Sequence, residues 1–155
     1  MIIQPQPGPQ EMFLSSPADI AIYGGAAGGG KSYALLLEAL RHTNNKNFGA
    51  VIFRKNANQI MSEGGLWDTA SEIYPYAGGK PSRNPRPTWK FPSGAKISFA
   101  HLEYEKDKLG WQGSQIPLIG FDELTHFTEG QFFYMLSRNR SACGIKPYVR
   151  ATTNP

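Results

Sequence analysis

The stretch Tyr23–Ser32, which reads YGGAAGGGKS, constrains this chain more than any other. From Gly25 onward it fits the pattern G-x-x-x-x-G-K-[ST]. In that pattern, glycines let the backbone approach a polyphosphate, and successive N–H groups form a nest for an anion. The apolar residues Ile20–Tyr23 predict a strand before the loop, and Tyr33–Arg41 predict a helix after it. Strand, loop and helix in this order predict a site for the phosphates of a nucleotide.

Each residue type of this loop has its own expected role. Lys31 is expected to reach the β- and γ-phosphates, and the Ser32 hydroxyl to take one position around Mg²⁺. Further upstream, the amide of Gln10 offers both a donor and an acceptor to an adenine edge, although a solvated loop glutamine is the alternative. A nucleoside triphosphate and Mg²⁺ are therefore the expected cofactors, and the resemblance described below implies ATP. The backbone contacts are expected from Gly25, Gly28, Gly29 and Gly30.

A second motif, IPLIGFDE at Ile116–Glu123, is an apolar run that ends in two carboxylates. A buried strand with this ending delivers both acids beside the triphosphate. Asp122 is expected to hold Mg²⁺ opposite Ser32, and Glu123 to orient and deprotonate the attacking water. Because successive side chains leave a strand on opposite faces, we expect the chain to turn here. The two motifs together favour a Mg²⁺-dependent hydrolase over a module that only binds nucleotide.

The composition limits other classes of protein. A chain of 155 residues fits one domain with its own core, and a net charge of +4 permits contact with nucleic acid without requiring it. The only cysteine is Cys143, which excludes an internal disulfide and a thiolate metal site. No stretch approaches the roughly 18 apolar residues of a membrane span, and Met1–Gln10 lacks the pattern of a secretory signal. We expect a soluble, intracellular protein with no membrane partner.

The rest of the chain predicts an α/β domain. A strand at Gly49–Lys55 after the first strand and helix implies a parallel pair. The proline-rich residues Met1–Pro9 predict an extended arm, and Ala77–Pro87 predict a loop. Further expected elements are an interrupted helix at Asn58–Tyr74, an edge hairpin at Thr88–Ala100, a helix at Thr128–Ser141 with a capping box, and a strand at Tyr148–Ala151.

Three arginines are candidates for contact with phosphate. Arg138, at the end of the helix expected at Thr128–Ser141, is a candidate arginine finger acting in cis or on a neighbouring subunit. A cation that merely interacts with the helix C-terminus is the alternative, and for Arg140 it is the favoured one. Arg54, at the carboxyl end of a predicted strand, is a phosphate contact or a solvated charge. The same helix is expected to bury Phe132, Phe133, Met135 and Leu136.

In this order along the chain, YGGAAGGGKS, FPSG, WQGSQ, LIGFDELTHF, LSRNRS and ATTNP resemble the ATPase domain of the large terminase subunit of tailed bacteriophages. The resemblance runs from about Gln10 to Pro155. It implies a P-loop NTPase of the additional-strand, catalytic-glutamate type, with a mostly parallel sheet, flanking helices and an inserted β-hairpin. The strand before ATTNP would lie between the phosphate-loop strand and the Asp-Glu strand. Thr153 and Asn154 would then lie beside the γ-phosphate as a coupling motif, and Gln10 would read adenine.

The resemblance also implies a function. The family's large subunit is the motor that hydrolyses ATP to drive viral DNA into a preformed capsid. The implied partners are double-stranded DNA, the portal protein, the small terminase subunit and further copies in a ring, in the host cell cytoplasm. Two alternatives remain: a nucleotide-binding fragment that is inactive in isolation, and another P-loop motor ATPase such as a helicase.

Two departures from the family's pattern bear on these expectations. Many large terminases carry an arginine in the phosphate loop or just before the Asp-Glu strand, but 25–27 and 111–113 contain none. The arginine finger is thus unassigned, with Arg138 and Arg54 as candidates. The resemblance also divides the chain into an arm at 1–9 and an ATPase domain at 10–155. Because no acidic triad is left for the family's nuclease domain, we expect a fragment or truncated product that does not cleave DNA.

Overall fold

The computed structural model describes residues 19–24 and 30–153. The expectations for the arm at 1–9, for Gln10, for Gly25, Gly28 and Gly29, and for Asn154 lie outside these residues. The strands are β1 (Ile20–Gly24), β2 (Gly49–Arg54), β3 (Lys80–Ser82), β4 (Thr88–Lys90), β5 (Lys96–His101), β6 (Leu118–Phe121) and β7 (Tyr148–Thr153). The helices are α1 (Lys31–Leu40), α2 (Asn58–Met61), α3 (Leu66–Ile73) and α4 (Glu129–Leu136), with 3₁₀ turns at Tyr74–Ala77, Glu105–Trp111 and Leu124–His126.

One sheet joins all seven described strands, in the order β1-β7-β6-β2-β5-β4-β3. The five strands from β1 to β5 in this order run parallel, and β4 and β3 continue the sheet antiparallel. Strand β7 therefore lies between β1, which leads into the phosphate loop, and β6, which ends at Asp122. This is the strand order that the resemblance implies, and the fold class is confirmed.

Helices and turns cover both faces of the sheet, which explains why its central strands are apolar without alternation. In β2, residues 50–53 are all buried, and so is every residue of β6. On one face, α1 and α3 enclose a core that includes Leu36, Ile52 and Trp67. On the other face, α4 packs over a core that includes Phe53, Phe121 and Met135.

Two glycines set the position of α1. Gly30 caps its N-terminus with φ 74°, a left-handed conformation that glycine adopts without strain. Gly120 lies in β6 beneath the helix, where a Cβ would meet Leu35 Cδ1 at 3.3 Å and Ile52 Cγ1 at 3.2 Å. The helix therefore packs closely on β6, which brings its first turn towards the end of that strand.

The outer part of the sheet departs from expectation in one respect. The hairpin is confirmed as β4 and β5, and the interrupted helix is confirmed as α2 and α3. However, β3 forms within the segment 77–87 that was predicted to be a loop. Its three residues include Pro81 and are all exposed, so they carry no apolar pattern to signal a strand. The hairpin is consequently not the edge of the sheet: β3 is.

Helix α4 is shorter than predicted and buries only one face. Its capping box is confirmed, with Thr128 and Gln131 bonded reciprocally through side chain and backbone. Gln131 and Met135 are fully buried one turn apart, whereas Phe133, on the opposite side, is 62% exposed. The expectation that Phe133 belongs to the core is therefore wrong. Within the described residues, no helix has both the length and the apolar character to cross a membrane.

Candidate active site

Five parallel strands have their carboxyl ends on one side of the sheet, and the ends of four of them, β1, β7, β6 and β2, form the candidate site. The register pairs Gly24 of β1 with Thr153 of β7, and Phe121 of β6 with Ala151 of β7. Asp122 thus follows β6 at the level of Thr152. In parallel sheets ligands bind at the carboxyl ends of the strands, so this edge is where the fold accepts a ligand.

Asp122 lies at the centre of this site and is only 1% exposed. The Ser32 hydroxyl, in the first turn of α1, donates to its Oδ2 at 2.9 Å. Thr152 Oγ1 donates to its Oδ1 at 2.6 Å. From the other side, Arg54 Nε donates to Oδ2 at 2.5 Å. A buried carboxylate needs such partners because desolvation alone would disfavour its charge.

Glu123 forms the turn that was expected at the end of β6. Its φ of 61° and ψ of 64° are left-handed, and within the described residues it is the only non-glycine with positive φ. Thr152 Oγ1 accepts a hydrogen bond from the Glu123 backbone N–H at 2.9 Å, which holds this conformation. Strained backbone of this kind is found disproportionately at functional sites. The turn lets Glu123 leave the strand in a different direction from its neighbour Asp122.

The Glu123 carboxylate lies among polar groups at the mouth of the site. Its Oε2 is 3.9 Å from Arg54 Nη1 and 3.4 Å from His126 Nδ1. The side chain is 28% exposed, so water reaches it while it remains partly desolvated. A carboxylate in such a position can accept a proton from water.

Arg54 joins the two carboxylates to the phosphate-loop helix. Its guanidinium contacts Asp122, approaches Ser32 Oγ at 3.5 Å and faces Glu123. The side chain is only 15% exposed. The solvated-charge alternative for Arg54 is therefore wrong: this arginine belongs to the site.

The remaining predicted residues within the described part of the chain divide into two groups. Lys31 opens α1 and is only 7% exposed, and Gly30 caps the same helix. Thr153 lies beside Gly24, the residue that leads into the phosphate loop; a Cβ at Gly24 would lie 3.7 Å from Thr153 Cγ2. These residues lie near the carboxyl ends of the parallel strands, as Asp122 does. Arg138 does not.

Arg138 lies at the other end of the parallel strands, where β6 and β7 begin. Its backbone carbonyl accepts a hydrogen bond from Ile116 N–H, which precedes β6, and the next residue, Asn139, bonds the carbonyl of Tyr148 at the start of β7. The guanidinium stacks over Tyr134 with its carbon 6.0 Å from the ring centre. The full length of β6 separates Arg138 from Asp122. Arg138 therefore cannot act in the site of its own chain. A role on a neighbouring subunit stays a prediction.

The residues present fit a magnesium ion. Ser32 and Asp122 supply a hydroxyl and a carboxylate, the hard oxygen donors that Mg²⁺ prefers, and this ion binds few protein ligands because it keeps much of its water. Among residues 19–24 and 30–153, no cluster of three or more His, Cys, Asp or Glu side chains has the arrangement of a metal site. A site of one carboxylate and one hydroxyl is the kind that Mg²⁺ shares with a bound phosphate.

Thr152, Arg54 and His126 complete this site. Arg54 was expected as a candidate phosphate contact or arginine finger, whereas Thr152 and His126 were not among the predicted site residues. Thr152 is adjacent to Thr153 in β7. Which of the two hydroxyls reaches Asp122 depends on the register between β7 and β6. His126 comes next to Glu123 through the 3₁₀ turn, which has no sequence signature. For Arg54 the signal was its place at the end of a buried strand.

Fold and site together define a P-loop NTPase of the additional-strand, catalytic-glutamate type. A family model described as "Terminase large subunit, T4likevirus-type, N-terminal" matches residues 22–155. The chain belongs to this family of large terminase subunits. No curated protein sequence matches it.

Solved structures of phage terminases share the fold. The large terminase of a thermophilic bacteriophage superposes with a TM-score of 0.70 at 20% identity, covering 98% of this chain and 40% of that one. The same phage's terminase in complex with ATP-γ-S gives 0.60 at 20% identity, covering 94% and 37%. The ATPase domain of the Thermus phage P74-26 large terminase gives 0.60 at 13% identity, covering 98% and 65%. This chain thus spans about 40% of the length of the first of these proteins.

Proposed function

We propose that this chain is an ATP-hydrolysing motor domain that drives double-stranded DNA into a viral procapsid. The observation that carries the proposal is the hydrogen bond from Ser32 to Asp122, at 2.9 Å. It joins the end of the phosphate loop to the end of the Asp-Glu strand, the two parts that ATP hydrolysis requires in one place. The ADP and ATP-γ-S complexes of the thermophilic phage terminase support the same nucleotide here.

In the proposed reaction, the side chains of this site divide the work. Lys31 donates to oxygens of the β- and γ-phosphates, and the glycine-rich loop holds the triphosphate through backbone N–H groups. Mg²⁺, held by Ser32 and Asp122, would neutralise charge on the phosphates. Glu123 accepts a hydrogen bond from a water molecule and takes its proton as the water oxygen attacks the γ-phosphorus. The bond from that phosphorus to its bridging oxygen breaks, which leaves ADP and phosphate.

Besides Lys31, Arg54 is the cation that we propose acts in the reaction. Without metal, it compensates the charge of Asp122, with which it shares the 2.5 Å contact. Mg²⁺ held by Ser32 and Asp122 would supply this compensation in its place. The guanidinium also faces Glu123, with Nη1 3.9 Å from Oε2. A second arginine would come from a neighbouring subunit of the ring, for which Arg138 is the candidate because its own site is out of reach.

The family supports the remaining parts of the proposal. Its members' role as packaging motors makes double-stranded DNA, the portal protein and the small terminase subunit the proposed partners, with a homo-oligomeric ring as the working form in the host cell cytoplasm. Thr153, Asn154 and Gln10 keep their proposed roles in sensing the γ-phosphate and reading adenine. Of these three, only Thr153 belongs to the described residues, and its position beside Gly24 supports that role.

The test is phosphate release from ATP across a range of protein concentrations, with and without Mg²⁺. Glu123→Gln keeps the size of the side chain but removes the base, and we expect turnover to fall by about 100-fold or more. The matched control is Glu103→Gln, which alters an exposed glutamate outside the site and is expected to keep wild-type turnover.

The concentration dependence tests the ring. Turnover per chain that rises with concentration, and that Arg138→Ala abolishes at high concentration, would support an arginine supplied by a neighbour. ATP binding without turnover at any concentration would contradict the motor and leave a nucleotide-binding module. Stimulation by forked duplexes that become unwound, with none by intact duplex, would instead indicate a helicase.

A further inference from the structure

A row of lysines crosses the outer part of the sheet on one face. The register pairs Lys80 of β3 with Lys90 of β4, and Lys90 with Lys96 of β5. All three side chains are exposed. Neighbouring residues of a row lie about 5 Å apart, so the three Cα atoms span about 10 Å. We call this row, with the hydroxyl row beside it at Ser82, Thr88 and Ser98, the basic face.

The lysine row is not neutralised within the described residues. Between Glu72 and Glu103 the sequence contains no acidic residue at all, and none of the ion pairs found in residues 19–24 and 30–153 involves Lys80, Lys90 or Lys96. Like charges directly opposite each other on adjacent strands destabilise a sheet. The row therefore lowers the stability of the isolated domain, which is expected of residues that serve an external anion.

Protection of the sheet edge does not account for the row. Lysine and proline on an edge strand prevent pairing with other chains, and Lys80 and Pro81 on β3 fit that purpose. Lys90 and Lys96, however, lie on β4 and β5, which are paired on both sides. Their charges protect no edge, so they need another explanation.

We propose that the basic face binds the phosphate backbone of double-stranded DNA. Lysine supplies the charge that releases counterions from a duplex, and serine and threonine hydroxyls donate to phosphate oxygens. A row about 10 Å long is comparable to the grooves that separate the phosphates of B-DNA, about 6 and 12 Å wide. A shallow cavity of about 280 Å³ lies beside Lys90, Lys96 and the hydroxyls, with Arg86 at its border.

The aromatic residues of these strands favour a duplex over a single strand. Proteins that bind single strands stack the bases on exposed aromatic rings. Here Trp89, Phe91 and Phe99 turn towards the core and are at most 3% exposed. The basic face thus offers cations and hydroxyls, which suit a backbone. The partly exposed Trp111 ring beside Arg86 is covered by that guanidinium, whose carbon lies 4.2 Å from the ring centre.

The basic face is connected to the candidate active site through one strand pair. β5, which carries Lys96 and Ser98, pairs along its length with β2, and that pairing ends with Arg54 opposite His101. Arg54 and part of the basic face thus lie on two strands that are paired directly. This inference rests on the proposed function for the identity of the polymer as DNA, whereas the charge arrangement stands without it.

The test is binding of a short fluorescent DNA duplex of mixed sequence, followed by anisotropy at several salt concentrations. In the variant that combines Lys80→Gln, Lys90→Gln and Lys96→Gln, we expect the affinity to fall about tenfold or more, and the slope of log affinity against log salt to decrease by about 2 to 3. The matched control removes three exposed charges outside the basic face: Lys106→Gln, Arg140→Gln and Lys146→Gln. It is expected to keep a slope close to that of the wild type.

Three outcomes would overturn the proposal: the same affinity and slope in both triple variants, no duplex binding by the wild type, or displacement of the duplex by polyglutamate as readily as by unlabelled duplex. The last would indicate an acidic protein as the partner. Binding of a fluorescent ATP analogue by the same variants separates this question from the active site. Loss of duplex binding with ATP binding intact supports the basic face, even if the wild type proves unable to hydrolyse ATP.

Discussion

Thr152 Oγ1 donates to Asp122 Oδ1 at 2.6 Å and accepts from the Glu123 backbone N–H at 2.9 Å. One hydroxyl on β7 therefore hydrogen-bonds to both of the acidic residues that follow β6. It fixes the orientation of the Asp122 side chain and holds Glu123 in its left-handed turn. The end of β7 thus contacts the acidic residues through Thr152 and lies beside the phosphate-loop strand through Thr153.

Thr152→Val tests this relationship, because valine has nearly the same shape but no hydroxyl. It leaves the Glu123 N–H without its partner, and we expect the free energy of unfolding to fall by about 1–3 kcal/mol. ATP turnover should fall by about tenfold or more, since Glu123, the proposed base, no longer keeps its position. Urea unfolding and phosphate release measure the two effects.

The control for this variant is Thr69→Val, which removes a longer hydroxyl bond of 3.3 Å on α3, away from the site. It should change neither turnover nor stability appreciably. Wild-type turnover in Thr152→Val would show that Glu123 is positioned by other contacts.

Arg54→Gln tests whether this arginine compensates Asp122 in the absence of metal. Removing one partner leaves the other as a buried, unpaired charge, so we expect the metal-free protein to lose about 1–3 kcal/mol of stability. Adding Mg²⁺ with an ATP analogue should narrow the difference from the wild type, because the ion then compensates Asp122. Thermal unfolding with and without these ligands gives the comparison.

Arg140→Gln is the control, since this exposed arginine forms no ion pair among the described residues. A stability deficit in Arg54→Gln that persists unchanged with Mg²⁺ and nucleotide would mean that the guanidinium stays on Asp122 throughout.

The parts of this molecule predicted from sequence are those determined by local pattern. Gly30, Lys31 and Ser32 lie at the start of α1 because the loop motif itself specifies a helix there, and the apolar run before Asp122 specifies a buried strand. The contact of Arg54 with Asp122 depends instead on the pairing of β2 with β6, which no local pattern encodes. β3 escaped prediction for a related reason: a three-residue exposed strand is stabilised by its neighbour β4 and not by its own composition.

The position of Arg138 shows the same limit. Its place at the end of a helix near the Asp-Glu strand suggested a contact with phosphate. The helix, however, runs back along the sheet, so its C-terminus meets the beginnings of β6 and β7. The direction in which α4 runs along the sheet is a tertiary property, and it places Arg138 away from the candidate site.

A buried charge network ties α1 to the start of β7. Glu38, 1% exposed, accepts from Arg41 at 2.6 Å and from Tyr148 at 3.2 Å, and lies 3.4 Å from Arg150. Burial, with the Glu38 charge as a smaller cause, raises the pKa of Tyr148, so the hydroxyl keeps its proton as donor. We expect Tyr148→Phe to cost about 1–3 kcal/mol of unfolding free energy.

Glu38→Gln should cost more, about 3–5 kcal/mol, because it removes the buried carboxylate that Arg41 and Arg150 both contact. Chemical denaturation of both variants measures the order. Equal losses, or a smaller loss in Glu38→Gln, would contradict the view that the carboxylate is the centre of the network.

His42 gives the fold a dependence on pH. Its ring packs against Phe48 and Tyr148, with centres 5.4 and 5.9 Å away. Burial, and then the charge of Arg41, lowers the pKa of His42 below its ordinary value. The folded state thus disfavours the charged ring. The contribution of His42 to stability is fully present above the unfolded pKa of about 6.5 and is lost as the pH falls through the lower, folded pKa.

His42→Phe keeps an aromatic ring at this position but cannot titrate. On lowering the pH from about 7 to about 5, we expect the melting temperature of the wild type to fall further than that of the variant. His101→Phe is the matched control, because His101 is exposed and belongs to none of the ion pairs found among the described residues. It should follow the wild type. A wild type and a His42→Phe variant that lose stability in parallel over this interval would show that protonation of His42 does not oppose folding.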